Sequence, residues 1–114
     1  MYNFKSMFWL VKKIVLWYHL LGDIMLEFKN IQINEAKSFK ERLIGLMFKK
    51  NITYGLLFKN CRSIHTFFMK DKIDVIATDK DDNIIKTYKS VSKNKIIIAP
   101  KSTKNIYELP KGTI

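Results

Sequence analysis

The sequence predicts an α+β fold: a compact, curved antiparallel β-sheet or partly open barrel with one packed helix. Two observations lead to this prediction. The chain has 114 residues, of which 47% are hydrophobic, enough for one packed core and too few for two domains. After a single helical segment, the apolar runs are short and rich in β-branched or aromatic residues, without the alternating helices of a parallel sheet.

The first strand and the helix come from consecutive segments. Apolar residues separated by polar ones predict a strand over residues 26–33. Ser38 and Glu41 fit a capping box, in which the Ser38 hydroxyl accepts from the Glu41 N–H and the Glu41 carboxylate accepts from the Ser38 amide. Gly45 would lie inside the helix, where a glycine is usually kept for close packing. The buried helical face is expected to contain Phe39, Leu43, Leu46 and Met47.

Short strands are expected over the rest of the chain. The polar residues 79–83 predict a β-hairpin turn rather than a calcium loop, since Ile84 and Ser90 replace the glycine and the acid that the loop needs. The aromatic run 67–69 is interpreted as core, and the run 96–99 as a fully buried strand. The predicted strands cover residues 54–58, 64–69, 73–78, 84–88, 96–99 and 106–109.

Residues 1–24 differ from the single α+β domain expected over residues 25–114. From Phe4 to Leu21 the chain is strongly apolar but carries basic residues seven apart, which is typical of a separate amphipathic helix on a membrane surface. The adjacent Lys12 and Lys13 disfavour a spanning helix and an ordinary signal peptide.

Three interpretations of this extension stay open. It is an over-long gene start with translation from Met25, a membrane-surface anchor formed by residues 4–21, or an atypical export signal. The expected location is therefore cytoplasmic or membrane-peripheral, with export as an open alternative.

The charge and the cysteine content limit which binding partners and cofactors are expected. The 21 basic and ten acidic residues give a net charge of +11, but the lysines are scattered and only Arg42 and Arg62 are arginines. We interpret this as a solvated basic surface and do not expect a nucleic-acid partner. A single cysteine, Cys61, excludes an internal disulfide. Cys61 and His65 have helical metal-ligand spacing but lie in a predicted strand, so no metal site and no cofactor are expected.

Five short elements occur in order with a spacing that resembles the "domain of unknown function 192" family. They are residues 36–47, which contain Glu-Arg followed by Gly-Leu-Met, and Gly-Leu-Leu-Phe at 55–58. The others are Phe-Phe-Met-Lys at 67–70, Ile-Asp-Val-Ile at 73–76 with the turn at 79–83, and Tyr-Glu-Leu-Pro-Lys-Gly at 107–112.

The resemblance implies a curved antiparallel β structure with a packed helix and no established reaction. Some family members carry export signals. Members usually continue past the Pro-x-Gly turn into a short helix and a final strand, whereas this chain stops at Ile114. We therefore expect a C-terminally truncated domain with an exposed sheet edge.

Four polar residues are candidates for ligand binding. Arg42 and Glu108 lie in the family motifs, flanked by apolar residues, and could form the floor of a polar pocket or a structural ion pair. Asp74, inside an apolar strand, needs partners such as backbone amides or His65, and serves either a ligand or a turn. His65 could act as a base or ligand near neutral pH.

The resulting hypothesis is a non-enzymatic module that binds a small polar ligand or partner in a cleft lined by these residues. Two alternatives are kept. One is an enzyme of unknown reaction that uses the same side chains, and the other is a membrane-peripheral protein anchored by residues 4–21.

Overall fold

The computed structural model describes residues 31–114. The amphipathic helix predicted for residues 4–21 and the beginning of the first predicted strand lie outside this part of the chain. The described part is mostly β-sheet with one short helix, as predicted. Its elements are β1 (Ile33–Glu35), α1 (Phe39–Ile44), β2 (Gly55–Lys59), β3 (Ser63–His65), β4 (Ile73–Thr78), β5 (Ile84–Val91), β6 (Ile96–Ile98) and β7 (Asn105–Pro110).

The strands form two sheets, neither of which closes on itself. The larger sheet has the order β1-β2-β7-β4-β5, and the smaller consists of β3 and β6. All pairs are antiparallel except β1 and β2, which run parallel with Ile33 opposite Gly55. The prediction of a wholly antiparallel sheet is therefore corrected at this edge. The helix and the following turn return the chain so that β2 starts beside the start of β1.

Buried side chains lie on both faces of the larger sheet. Register decides the face, because side chains alternate along a strand and directly opposed residues share a face. Val75 of β4 is opposite Glu108 of β7, and Asp74 is opposite Leu109. One core cluster comprises Ile33, Leu57, Ile76, Ile84, Tyr107 and Leu109. The other comprises Leu46, Met69, Ile73, Val75, Ala77, Ala99 and Ile106.

The capping box of α1 is present with one change. Ser38 Oγ accepts from the Glu41 N–H at 3.0 Å. The Glu41 carboxylate accepts from the Ser38 hydroxyl at 3.0 Å and from the Lys37 N–H at 3.4 Å, rather than from the Ser38 amide. The predicted start of the helix is therefore confirmed.

The predicted end and buried face of the helix are wrong. Gly45 is the C-terminal cap, with φ 53°, and its N–H donates to Glu41 O at 2.8 Å. The helix has only six residues, so Leu46 lies in the turn beyond it, where it is buried. Phe39 and Leu43, which lie within the helix, are 82% and 57% exposed. No helix within residues 31–114 is long and apolar enough to cross a membrane.

Two further apolar segments are more exposed than predicted. The smaller sheet has only two strands, so Ile96 and Ile98 remain 66% and 68% exposed, and only Ile97 packs against the core. Strand β3 ends at His65, and the chain then turns. Met69 is buried as predicted, whereas Phe67 and Phe68 are 37% and 61% exposed.

The predicted hairpin between β4 and β5 is confirmed. Asp79 Oδ1 accepts from the backbone N–H groups of Asp81 and Asn83, both at 2.9 Å. The aspartate therefore stabilises the turn, as short polar side chains commonly do.

Candidate functional site

A cavity of about 300 Å³ lies between α1, the turn that follows it, and the strands β2, β3 and β7. We call it the Glu108 cavity. This volume is at the lower end of the range of about 300–1,000 Å³ for small-molecule sites. Three of the four predicted site residues line it, namely Arg42, His65 and Glu108. Asp74 does not.

Glu108 is the most unusual group in the cavity. It lies in β7 between Leu56 of β2 and Val75 of β4, and its side chain is 4% exposed. Its Oε2 atom is buried and has no hydrogen-bond partner. Burial raises the pKa of the Glu108 carboxyl to about 8, because desolvation disfavours the charged form. Glu108 is therefore mostly protonated at neutral pH.

Arg42 lines the same cavity as Glu108 but forms no ion pair with it. Located in the last turn of α1, it donates from Nη1 to Lys59 O at 2.8 Å. The salt bridge found among residues 31–114 joins Lys59 Nζ to Glu35 Oε1 at 3.3 Å and involves neither Arg42 nor Glu108. The ion pair between Arg42 and Glu108 that the sequence offered as a structural role is thus not formed. The helix end and β2 hold the guanidinium at the cavity while Glu108 stays unpaired.

His65 and Cys61 contribute further polar atoms to the cavity wall. His65 Nδ1 accepts from the Phe67 N–H at 3.2 Å, so a neutral imidazole carries its proton on Nε2. The imidazole stacks on the Phe67 ring with 5.2 Å between centroids. The Cys61 thiol donates to Ser63 O at 3.1 Å, and burial raises its pKa. Cys61 is therefore a thiol rather than a reactive thiolate.

Asp74 lies on the opposite face of the sheet from Glu108, as the register requires. Fully buried, it accepts from the Ser90 N–H at 2.8 Å and from the Ile114 N–H at 3.0 Å. Ser90, at φ 52°, lies in an irregularity of the β4–β5 ladder. The backbone amides expected as partners are present, whereas His65 is not a partner. Asp74 ties an irregular strand to the last residue.

Two features of the site escape the sequence-based analysis. Gly45 faces the cavity, and a Cβ atom there would lie 3.4 Å from Glu108 Oε2. The sequence motif contains Gly45 but gives no sign of its contact with Glu108. Cys61 lines the same cavity, a position that no local sequence pattern indicates. Among residues 31–114, no three His, Cys, Asp or Glu side chains are grouped so that they could hold a metal ion.

Comparison with known proteins gives a family match over most of the chain. The model of DUF192, described as "Uncharacterized ACR", matches residues 23–114. A UPF0127 protein from Thermococcus kodakarensis is 33% identical over 89 residues, which cover 73% of this chain and 56% of that protein. A UPF0127 protein from Pyrococcus horikoshii is 34% identical over 99 residues, covering 78% of this chain and 84% of that protein. The chain therefore spans little more than half the length of the first of these relatives.

The fold also has a counterpart among solved structures. The crystal structure of a protein of unknown function from Novosphingobium aromaticivorans matches with a TM-score of 0.64. The match covers 72% of this chain and 64% of that chain at 17% identity. At this identity, the likeness concerns the fold alone.

Proposed function

The chain belongs to the DUF192 family, and we propose that its domain is a non-enzymatic module that binds a small polar molecule in the Glu108 cavity. One observation carries the proposal. Glu108, which is 4% exposed, lines the cavity, and one oxygen of its carboxyl group is buried without a hydrogen-bond partner. Buried polar atoms in native proteins nearly always have a partner.

The fold leaves one oxygen of the Glu108 carboxyl group without a hydrogen bond. An unsatisfied buried polar group costs about 1–3 kcal/mol. Arg42 lines the same cavity, yet its Nη1 donates to Lys59 O instead. A bound ligand would supply the missing hydrogen bond and recover this cost.

The lining suggests the chemistry of the ligand. The remaining guanidinium N–H groups of Arg42 call for a carbonyl or carboxylate oxygen. A protonated Glu108 has one donor and remaining acceptor capacity, which suit an amide or amine. Phe39 and Leu43, exposed beside the cavity, offer contacts to a short apolar body. The volume equals that of roughly ten water molecules, so amino acids and their amides are suitable in size.

Thermal unfolding of the full chain tests this proposal. We expect free amino acids or their amides, tested separately at millimolar concentration, to give a saturable rise in Tm. Ligand at about 100 times Kd would stabilise the fold by about 2.7 kcal/mol. Arg42→Ala should keep the fold and lose the rise in Tm. Lys40→Ala, an exposed change on the same helix, should keep both.

Two results would argue against the binding module. Loss of cooperative unfolding in Arg42→Ala would assign that residue to the fold. A flat response of the wild-type protein to every amino acid and amide would reject the ligand class.

A second candidate is an enzyme acting through the same cavity. Glu108 favours this candidate. Its pKa of about 8 is close to neutral pH, and a general acid or base works best when its pKa is near the pH of the reaction. His65, another lining residue, would then be a second proton-transfer group. His65→Ala should abolish turnover of a bound compound while changing its affinity little. A wild-type rate in this variant would remove the second candidate.

The extension is a separate proposal. If the chain consists of an extension at residues 1–24 and a domain at residues 25–114, the domain should unfold cooperatively when it is produced alone. A surface anchor at residues 4–21 predicts that deletion of residues 1–24 releases the protein from anionic vesicles. Unchanged binding after deletion would exclude the anchor.

A further inference from the structure

A second concave surface lies apart from the Glu108 cavity. This groove, of about 490 Å³, contains two exposed aromatic rings and three lysines, and we call it the Phe48–Phe68 groove. The two concave surfaces share only Met69 among their lining residues. The groove is lined by Phe48, Phe68, Met69, Lys70, Asp71, Lys72, Ser92, Lys93 and Asn94.

The two phenylalanines are held at the surface in a conformation that bulky residues rarely adopt. Phe48 and Phe68 are 59% and 61% exposed, and their φ angles are 64° and 62°, in the left-handed region. Their ring centroids are 5.5 Å apart with an interplanar angle of 29°. The Phe48 N–H donates to Phe68 O at 3.0 Å. The two rings therefore stack on each other, and both line the groove while more than half exposed.

Hydrogen bonds also hold other segments that line the groove. Thr66, fully buried, donates from Oγ1 to Ser92 O at 2.7 Å and accepts from the Lys95 N–H at 2.8 Å. The Asn51 N–H donates to Asp71 Oδ2 at 2.8 Å. The groove is thus formed before any ligand arrives, which reduces the entropy lost on binding.

The groove has an excess of positive charge, which favours an anionic ligand. Lys70, Lys72 and Lys93 line it together with one acid, Asp71, which already accepts from the Asn51 amide. The lysines look scattered in the sequence, but the fold brings these three next to the two rings. Flat aromatic faces beside a basic groove are the combination with which proteins bind unpaired bases and their phosphates.

We propose that the Phe48–Phe68 groove binds a nucleotide unit, with the base stacked on a phenylalanine ring and the phosphate near the lysines. The unit comes either from a free nucleotide or from a single strand, since bases in a duplex are stacked on one another. The concave shape favours a discrete ligand over a membrane surface. The groove is separate from the Glu108 cavity, so this inference does not depend on the function proposed above.

Fluorescence anisotropy of a labelled oligo-dT strand, titrated with the full chain, tests the inference. Phe68→Leu keeps an apolar side chain at the same backbone conformation but removes the ring. We expect it to weaken binding at least about fivefold, because stacking contributes about 1–3 kcal/mol per base. Ile98→Ala, an exposed apolar change on β6, should bind like wild type. Thermal melts establish that each variant is folded.

The charge contribution is tested with a matched pair. Lys72→Gln should weaken binding and reduce the salt slope by about 0.7, whereas Lys80→Gln in the exposed hairpin turn should change neither. Equal losses in the two lysine variants would mean non-specific attraction to a basic protein and would overturn the inference. Wild-type affinity in Phe68→Leu would overturn it as well.

Competition identifies the source of the nucleotide. Displacement of the strand by millimolar AMP would show that one free nucleotide fills the groove. Strand binding that AMP does not displace would assign the groove to single-stranded nucleic acid. The inference fails if neither AMP nor oligo-dT binds, including the case in which phosphatidylserine vesicles bind in a Phe68-dependent manner.

Discussion

Gly45 lies directly against the carboxyl group of Glu108. A Cβ atom on Gly45 would be 3.4 Å from Glu108 Oε2 and 3.3 Å from Phe58 Cζ. The backbone of Gly45 has φ 53°, which glycine adopts readily. The same residue therefore ends α1 and leaves space beside the buried carboxyl.

Gly45→Ala should destabilise the protein and impair the cavity. At φ 53° and ψ −125°, the backbone is in a region that residues other than glycine rarely adopt, which costs an alanine about 1–3 kcal/mol. The added methyl group would also press on Glu108 and Phe58. Gly112→Ala is the matched control, since Gly112 has φ 88° and open space around its Cβ position. Denaturant unfolding should show a larger loss for Gly45→Ala, and only this variant should lose the response to amino acids or amides. Equal losses, with the ligand response intact in both variants, would contradict the role of the contact.

Glu108 should make stability fall as pH rises. Its folded pKa is about 8, above the ordinary value of about 4.3. Between these values the folded state keeps a proton that the unfolded state has lost. The free energy of unfolding therefore decreases with pH by up to about 1.4 kcal/mol per unit, and this decrease ends above pH 8. Glu108→Gln should remove this slope, so the variant should gain Tm relative to wild type as pH rises from 5 to 8.

A glutamate with a different environment provides the control for this titration. Glu41 is exposed at the start of α1, and glutamine serves equally well in a capping box. Glu41→Gln makes the same chemical change outside the Glu108 cavity, so any effect that it shares with Glu108→Gln is not specific to the buried carboxyl. A wild-type slope in Glu108→Gln would mean that Glu108 is ionised in the folded protein at neutral pH.

Local sequence patterns predicted the β4–β5 hairpin because it depends on neighbouring residues. The polar turn around Asp79 separates two apolar runs, which is enough to predict the hairpin. The same patterns placed the ends of two other strands at Ile33 and Met69, whereas β1 ends at Glu35 and β3 at His65.

The helix was predicted too long because Gly45 was interpreted as a packing residue inside it. Gly45 instead ends α1 beside Glu108, which is 63 residues further along the chain, and no local pattern contains that contact.

In the candidate site, too, local patterns identified residues, whereas their arrangement depended on long-range contacts. Family motifs pointed to Arg42 and Glu108, and the structure brings both to one cavity with His65. Asp74 looked equivalent in sequence because it is also an acid in an apolar strand. Only the pairing of Asp74 with Leu109, and of Val75 with Glu108, separates the two acids onto opposite faces. Strand register depends on long-range pairing and had no local signal here.

Asp74→Ala should reduce stability without affecting ligand binding in the Glu108 cavity. The substitution leaves the Ser90 and Ile114 amides without their acceptor, and hydrogen bonds to charged groups contribute about 1.5–3 kcal/mol each. We therefore expect a loss of about 3 kcal/mol or more in denaturant unfolding. Asp74→Asn keeps one acceptor oxygen and should lose less.

An acid on the protein surface separates this effect from a general change in charge. Asp81→Ala removes an exposed carboxylate in the hairpin turn and should change stability by less than about 0.5 kcal/mol. The Tm of Asp74→Ala should still rise when amino acids or amides are added, because residue 74 lies on the opposite face of the sheet from Glu108. Normal stability combined with a lost ligand response would instead place Asp74 in the binding site, as the sequence first suggested.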